Sequence, residues 1–285
     1  MANMRAIRNR IKSVESTRQI TKSMKMVAAS KLRKTQESGS SLRVFAAKSG
    51  EMLSDIIAVG GETANPFLTK RENRQHKCYV LFVGNRGLCG TYNNSVLRYL
   101  EDLAAQDETE AFLVVVGRWG REMIAHSGIE VRRTFDEMGD APDSSAAREV
   151  SEYLKELYLS GEADEIVLVY QQFKSVLSQA PGHIVLLPVE PKAGEHHASE
   201  YIYEPDRDSL LDKLVGLYID NTVYSTLLEA KTGEHSARMT AMTAATDNTN
   251  ELIAELSLKL NHARQSAITT EIAEISGGAA ALAQK

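Results

Sequence analysis

Three evenly spaced glycines mark a turn that could bind phosphate. Gly84, Gly87 and Gly90 stand in "GNRGLCGTYN" (84–93). This stretch follows the apolar run "CYVLFVG" (78–84), and glycine-rich turns between a strand and a helix often hold phosphates on backbone N–H groups. The spacing matches neither G-x-G-x-x-G nor G-x-x-x-x-G-K-[ST], and no lysine follows to reach a phosphate. We therefore expect a tight, closely packed turn, with a nucleotide-binding enzyme as the alternative.

Few other residues have a spacing that suits catalysis or metal binding. Cys89 could be a nucleophile, but no histidine is near it in sequence, and a small buried cysteine is the commoner case. The only other cysteine is Cys78, and two cysteines are too few for a disulfide framework or a metal site. His196 and His197 lie in a polar segment that we expect to be solvated. The acidic stretch 136–143 lacks the spacing of a calcium loop. We expect no catalytic residue, no cofactor and no metal.

Positive charge is concentrated at the N-terminus. Residues 1–38 hold ten lysines and arginines against two acidic residues, although the whole chain has a net charge of −5. Nucleic acid, a membrane surface or an acidic protein could bind such a segment. Residues 1–44 contain no aromatic side chain for base stacking, and Ala28 and Ala29 stand where a membrane-surface helix needs bulky residues. An acidic protein surface is therefore the expected partner, and nucleic acid is not.

The distribution of proline divides the chain into three segments. All six prolines lie between Pro66 and Pro205. Because proline breaks helix interiors, the flanks are predicted to be helical arms at 1–60 and 208–285, around a compact domain at 70–205. Helices of this length exceed a domain of that size, so we expect the arms to pair as a long antiparallel two-helix coiled coil.

The C-terminal arm carries the clearer coiled-coil pattern. Its apolar and small residues recur at alternating steps of three and four, which predicts a seam formed by Met239, Met242, Thr246, Thr249, Ile253, Leu256, Leu260, Ala263 and Ala267. The N-terminal arm holds the same register from Met4 to Val14. Further along, Ile20, Met24 and Val27 lie one position earlier, which indicates a locally altered twist or a second partner on another face.

The middle of the chain has the sequence pattern of an α/β domain. Apolar, β-branched runs at 78–84, 111–117, 165–171 and 183–189 predict strands, and helical patterns near 93–107, 118–126 and 144–160 separate them. Continuous apolar strands that alternate with helices are typical of a largely parallel sheet covered on both faces. The predicted fold class is therefore α/β, a Rossmann-like central domain carrying the coiled coil.

The C-terminal end is free of charge. From Ser276 to Gln284 the only bulky side chain is Leu282. The C-terminal arm exceeds the N-terminal one by about 19 residues, or roughly 28 Å of helix. This end is either a frayed tail or a smooth apolar tip that fits into a surrounding apolar collar.

Neither a membrane span nor a secretory signal is present in the sequence. No apolar run approaches the eighteen residues of a transmembrane helix, and the N-terminus lacks an apolar signal region. Its arginines only faintly resemble a mitochondrial transit peptide, because the pattern continues into the predicted helix. Reduced cysteines and a cytosol-facing location are expected.

Three separated motifs resemble the γ subunit of F-type ATP synthases: "RIKSVESTRQITKSMKMVAASKLRK" (10–34), "GNRGLCGTYN" (84–93) and the segment 234–282. The resemblance implies a central rotor shaft whose coiled coil lies inside the hexamer of α and β subunits. Its α/β domain would sit on the membrane c-ring beside ε, so that membrane association is indirect. Proton-driven rotation would then cycle the catalytic β subunits, and the shaft itself would not be catalytic. Without a transit peptide, the implied location is the cytoplasmic face of a bacterial inner membrane.

The resemblance also implies roles for individual residues. The expected contacts with β are Met24, Lys25, Arg86, Arg264, Gln265, Thr269 and Glu271. The expected apolar bearing tip is formed by Gly277, Gly278, Ala279, Ala280, Ala281 and Leu282. This chain departs from the family at Asn85, where an aspartate is usual, and it lacks the redox-regulatory cysteine insertion of the chloroplast form.

Overall fold

The computed structural model describes residues 2–60, 65–71, 75–107, 109–119, 124, 127–136, 138–176, 178–190, 203–204 and 206–283. The chain forms two compact units. One combines Met1–Val27 with Ala241–Lys285, and the other is Ala28–Thr240. Two long helices, α1 (Ala2–Gly60) and α4 (Arg207–Ala283), contribute to both units.

The first unit is an antiparallel pair formed by the ends of α1 and α4. The hydroxyl of Thr246 lies 2.9 Å from that of Thr21, and Nη1 of Arg18 donates to Oδ1 of Asn250 over 3.4 Å. Partner numbers rise along α4 as they fall along α1, so the helices run in opposite directions. The predicted two-helix pair is therefore present in this unit.

The seam of this pair follows the predicted register. On α4 the shielded side chains include every predicted seam position of the unit: Met242, Thr246, Thr249, Ile253, Leu256, Leu260, Ala263 and Ala267. On α1 the seam continues through Arg18 and a buried Thr21, whereas Ile20 and Val27 are 60% and 53% exposed. Of the three residues of the apolar drift, Ile20 and Val27 therefore lie on an exposed face while Met24 is half-buried, and the second partner stays a prediction.

The second unit is built on a five-stranded sheet of order β3-β2-β1-β4-β5. The strands are β1 (His76–Phe82), β2 (Glu110–Val116), β3 (Glu130–Phe135), β4 (Glu165–Phe173) and β5 (Gln179–Leu187). The pairs β1–β2, β1–β4 and β2–β3 are parallel, and β5 runs antiparallel to β4. The predicted Rossmann-like α/β class is confirmed.

Helices cover both faces of the sheet, as its doubly buried central strands require. On one face, α2 (Tyr92–Ala105) packs Val96 and Leu100 against the sheet. On the other face, α3 (Ser144–Ser160) packs together with the part of α1 around Leu53 and the part of α4 around Ile219. The strands β1, β2 and β4 are thus held between two layers, which positions the turns that follow them.

The sequence did not predict β3. Its sequence "EVRRTF" is mostly exposed and lacks an apolar run, because β3 is an edge strand of the described sheet. The guanidinium of Arg132 lies 3.7 Å from the Phe112 ring centroid, so a charged side chain covers this edge. The helix predicted near 118–126 lies mostly outside the described residues; of the three described there, 118, 119 and 124, only Ile124 is helical.

Candidate partner-contact site

The glycine-rich turn follows β1 and carries Arg86 on the surface. Two hydrogen bonds of the Gly84 backbone hold the start of the turn: its N–H donates to the side-chain Oδ1 of Asn93 over 2.9 Å, and its carbonyl accepts from the N–H of Trp119 over 2.9 Å. Positive φ angles occur at Leu88 (60°) and Gly90 (61°), where the chain reverses. The Arg86 side chain is exposed, so this turn presents a fixed cationic residue to solvent.

Helix α4 fills the crevice in which doubly wound sheets bind nucleotides. A Cβ atom added at Gly84 would lie 3.0 Å from Cδ of Glu234. One added at Gly233 would lie 3.3 Å from the ring of Tyr92. Glycine is needed at both positions because the turn and the helix touch, in agreement with the predicted close packing. A carboxylate of the chain itself thus lies against the turn.

Glu234 is the centre of a buried ion triad. Its Oε2 lies 2.9 Å from Nζ of Lys231, and its Oε1 lies 2.8 Å from Nη2 of Arg238. Burial alone would raise the pKa of Glu234, but the two cations outweigh it and hold this pKa below its usual value. The Glu234 carboxylate therefore stays ionised at neutral pH.

Two side chains tie the turn to its surroundings. Nη2 of Arg238 donates to the carbonyls of Arg86 and Gly87, over 3.1 and 3.3 Å. The amide of Asn85 donates to the Met138 carbonyl over 2.6 Å and accepts from the backbone N–H of Arg118 over 3.3 Å. The turn is therefore held both by α4 and by the acidic stretch that follows β3.

That acidic stretch has structural roles that its sequence did not predict. Asp140 pairs with Lys31 of α1 at 2.5 Å, and this bond lowers the pKa of the Asp140 carboxyl. The Asp140 carbonyl also lies 2.9 Å from Nε2 of His235 on α4. Asp143 caps α3 by accepting from the N–H of Ala146 over 3.0 Å. The stretch thus connects α1, α3 and α4; residue 137 lies outside the described part.

The basic residues of the first unit line an open groove. Met24 and Lys25 are both half-buried, and Lys25 takes part in the groove. The charged side chains lining this groove are Lys12, Glu15, Arg18, Lys22 and Lys25. Four cations against one carboxylate make the groove suitable for an acidic surface.

The predicted contacts at the end of α4 are all exposed. Arg264, Gln265, Thr269 and Glu271 lie on an uninterrupted helix, and the Thr269 hydroxyl donates to the Gln265 carbonyl over 2.9 Å. Gly277, Gly278 and Ala279 are exposed too. The side chains of Ala280, Ala281 and Leu282 lie outside the described part, although the helix continues to Ala283.

Three exposed isoleucines were missed by the sequence reasoning. Ile268, Ile272 and Ile275 are 49%, 61% and 67% exposed. Steps of four and three place them on one stripe of α4, among the predicted contacts. The signal was available, because steps of four and three recur beyond the last predicted seam residue, Ala267, offset by one position from the seam. Large apolar side chains exposed in a row mark an interaction surface.

The other chemical candidates of the sequence are a cysteine and a pair of histidines. Cys89 is buried, and burial raises the pKa of its thiol, which disfavours the nucleophilic thiolate. His196 and His197 lie outside the described residues. Within the described ranges, no three His, Cys, Asp or Glu side chains converge to hold a metal ion. None of the helices described is long and apolar enough to cross a membrane.

Comparison with known proteins gives one consistent result. The family model described as "ATP synthase" matches residues 3–282. The ATP synthase gamma chain of Desulforamulus reducens is 44% identical over 99% of this chain and 100% of its own length. That of Pelotomaculum thermopropionicum is 41% identical, with the same coverage.

Solved structures show the same fold at lower identity. A rotor chain of the mitochondrial ATP synthase of Euglena gracilis has a TM-score of 0.68 at 20% identity, and covers 94% of this chain and 99% of its own. A second chain from that enzyme, solved with F1 and the c-ring, has a TM-score of 0.70 at 20% identity, over 99% and 95% of the two chains.

Proposed function

The chain belongs to the gamma-chain family of ATP synthases, and we propose that it is the central rotor shaft of a bacterial F-type enzyme. In this role it couples proton-driven rotation of the membrane ring to the conformational cycle of the catalytic β subunits. The observation that carries the proposal is the family match over 3–282, which includes both helical arms and the α/β domain.

The contacts of the shaft with β are assigned to three surfaces. Lys25 in the basic groove, with Met24 beside it, forms the first. Arg86 on the glycine-rich turn forms the second. The third is the exposed stretch of α4 that holds Arg264, Gln265, Thr269 and Glu271. The excess of cations in the groove supports contact with acidic elements of β there, and the other two surfaces are exposed and open to a partner.

The apolar bearing tip is assigned to the end of α4. The pKa of the Glu255 carboxyl is lowered, chiefly by Lys259 and also by Arg10 of α1. Helix α1 therefore still runs beside α4 at this point. Continuing the register of the α1–α4 pair to the start of α1 places Ala2 opposite residues 263–265. The following helix to residue 283 is about 27 Å long at 1.5 Å per residue. A single exposed helix with isoleucines and then glycines and alanines suits an apolar sleeve.

The shaft makes no covalent bond in this proposal. The turn after β1 lies against the carboxylate of Glu234, where a nucleotide phosphate would meet a negative charge, and this argues against the alternative of a nucleotide-binding enzyme. The chain acts instead by transmitting rotation to its partners. We assign its partners as the α and β hexamer, the ε subunit and the c-ring, and its place as peripheral on the cytoplasmic face of the inner membrane.

The test is reconstitution with purified α and β subunits of a related bacterial enzyme. The expected complex holds one copy of the chain per hexamer and shows ATP-driven rotation of a probe attached to the α/β domain. The chain alone should hydrolyse no ATP. Turnover by the isolated chain, or a hexamer that rotates no probe, would contradict the proposal.

A further inference from the structure

We propose that Arg238 and Asn85 are positioning residues that fix the backbone under Arg86, so that this side chain meets its partner in one preset orientation. The inference rests on the proposed contact between Arg86 and β. Asn85 directly precedes Arg86, but Arg238 is 152 residues away along the chain, so the local sequence does not reveal its role.

The first support is the hydrogen bonding around Arg238. A single nitrogen, Nη2, lies 2.8 Å from Oε1 of Glu234, 3.1 Å from the Arg86 carbonyl and 3.3 Å from the Gly87 carbonyl. This nitrogen carries two hydrogens, so one points at the carboxylate and the two carbonyls share the other. Consecutive carbonyls that share one donor must face the same way, which fixes the peptide plane between Arg86 and Gly87.

The second support is the anchoring of Arg238 itself. Glu234 is 2% exposed and is bound on its other oxygen by Lys231. A buried carboxylate held by two cations is stiff, because any displacement leaves a charge unpaired. Glu234 also touches the start of the turn, since a Cβ at Gly84 would come within 3.0 Å of its Cδ. The triad therefore holds the turn at two points.

The third support comes from the opposite side of the turn. Asn85 uses its amide as a donor to the Met138 carbonyl and as an acceptor for the Arg118 N–H. Met138 itself is buried, so this anchor is part of the core. Because hydrogen bonds hold the backbone on both sides of Arg86, little backbone entropy is lost when the exposed Arg86 side chain binds its partner.

A double-mutant cycle in the reconstituted complex tests this inference. ATP-driven turnover is measured in that complex, and proton-driven synthesis in the whole membrane-embedded enzyme, for Arg86→Ala, Arg238→Gln and the combination. If Arg238 acts through Arg86, each single change lowers coupled synthesis by about tenfold and the combination is no worse than Arg86→Ala. Arg98→Gln, an exposed arginine on α2, is the matched control and should leave synthesis unchanged. Arg238→Lys, which keeps the charge near Glu234, should recover part of the loss.

Each of the other outcomes contradicts the inference, the Arg86 contact or the proposed function. If the two losses multiply in the combination, Arg238 acts independently of Arg86 and the inference is wrong. If Arg86→Ala has no effect, both the inference and the Arg86 contact fail, while rotation of the unchanged complex still upholds the shaft. Failure of the unchanged complex to rotate would instead overturn the proposed function.

Hydrogen exchange gives a second readout in the full chain, without partners. Arg238→Gln should raise amide exchange across residues 86–91 by about tenfold and leave the exchange of α2 unaltered. Unchanged exchange in the turn contradicts the inference even if Arg238→Gln impairs assembly. General loss of protection in Arg238→Gln would show that Arg238 stabilises the unit as a whole, and this also contradicts the inference.

Discussion

Asn85 both donates and accepts a hydrogen bond through its side chain, which it can do because that side chain ends in an amide. The donor end meets a carbonyl at 2.6 Å, and the acceptor end meets a backbone N–H at 3.3 Å. An aspartate, which the family resemblance leads one to expect here, could only accept. The chain therefore attaches its glycine-rich turn to the acidic stretch by a bond that the usual residue cannot form.

Asn85→Asp should destabilise the chain by about 1–3 kcal/mol, because the Met138 carbonyl loses its donor and faces a carboxylate instead. Urea unfolding at neutral pH measures this change. Asn94→Asp on α2 is the matched control, since Asn94 is exposed and should change stability by less than about 0.5 kcal/mol. Equal effects of the two substitutions would show that the amide bond to Met138 contributes nothing.

His235 is buried with one of its two ring nitrogens unpaired. Nε2 donates to the Asp140 carbonyl, whereas Nδ1 has no hydrogen-bond partner among the described residues. Burial lowers the pKa of His235; the Asp140 carbonyl and Glu234 oppose this shift, and Arg238 and Lys231 add to it. The neutral ring is therefore favoured in the folded chain.

The free energy of unfolding should fall as the pH drops from about 7 to 5. The folded pKa of His235 is lowered, so in this window the unfolded chain, with a pKa near 6.5, binds more protons and gains stability relative to the folded one. Urea titrations at several pH values measure the slope. His235→Gln keeps a donor for the Asp140 carbonyl and should flatten the slope; an unchanged slope would assign it to another group.

At the scale of elements, α4 changes its role along its length. In the first unit its seam packs on α1, but from Ile268 onward every described side chain is exposed. A lone helix of this length is stable because it extends a packed one and needs no new nucleus. Its isoleucines are therefore available for a partner, and they contribute little to the fold of the chain itself.

Replacing Ile272 and Ile275 with serine should leave the melting temperature of the isolated chain within about 2 °C, because both side chains are already exposed. Affinity for the α and β hexamer should fall by about tenfold, through the loss of apolar burial. Leu258→Ser is the matched control, an equally exposed leucine on the paired part of α4, and should have a smaller effect. Equal losses of affinity would remove the special role of the stripe.

At the scale of the whole molecule, the sequence predicts periodic features and misses isolated contacts. The α4 seam and the four apolar strands repeat a spacing, so their elements were predictable. β3 was not, because an exposed edge strand has no apolar pattern. The same holds for the site. The exposed contacts on α4 were predictable because the helix itself was. The hydrogen bond between Arg238 and the Arg86 carbonyl depends on the path of the whole chain, so it leaves no local signal in the sequence.

Charge is the other property that acts at the molecular scale. The chain has a net charge of −5, yet the groove in the first unit holds Lys12, Arg18, Lys22 and Lys25 against a single glutamate. A positive groove on a negative molecule orients the chain as it approaches an acidic partner. Association should therefore depend on the groove, although the total charge is unfavourable.

Replacing Lys12, Lys22 and Lys25 with glutamine should slow association with the α and β hexamer by about tenfold at low salt, because the attraction that steers the encounter is lost. Stopped-flow association at ionic strengths from about 0.02 to 0.5 M measures the rate, since screening becomes nearly complete over this range. The unchanged chain should slow steeply with salt, and the triple variant should not. Lys34, Lys48 and Lys70, which are exposed in the second unit, give a control variant of equal charge. If that control loses as much rate as the groove variant, net charge and not the groove governs assembly.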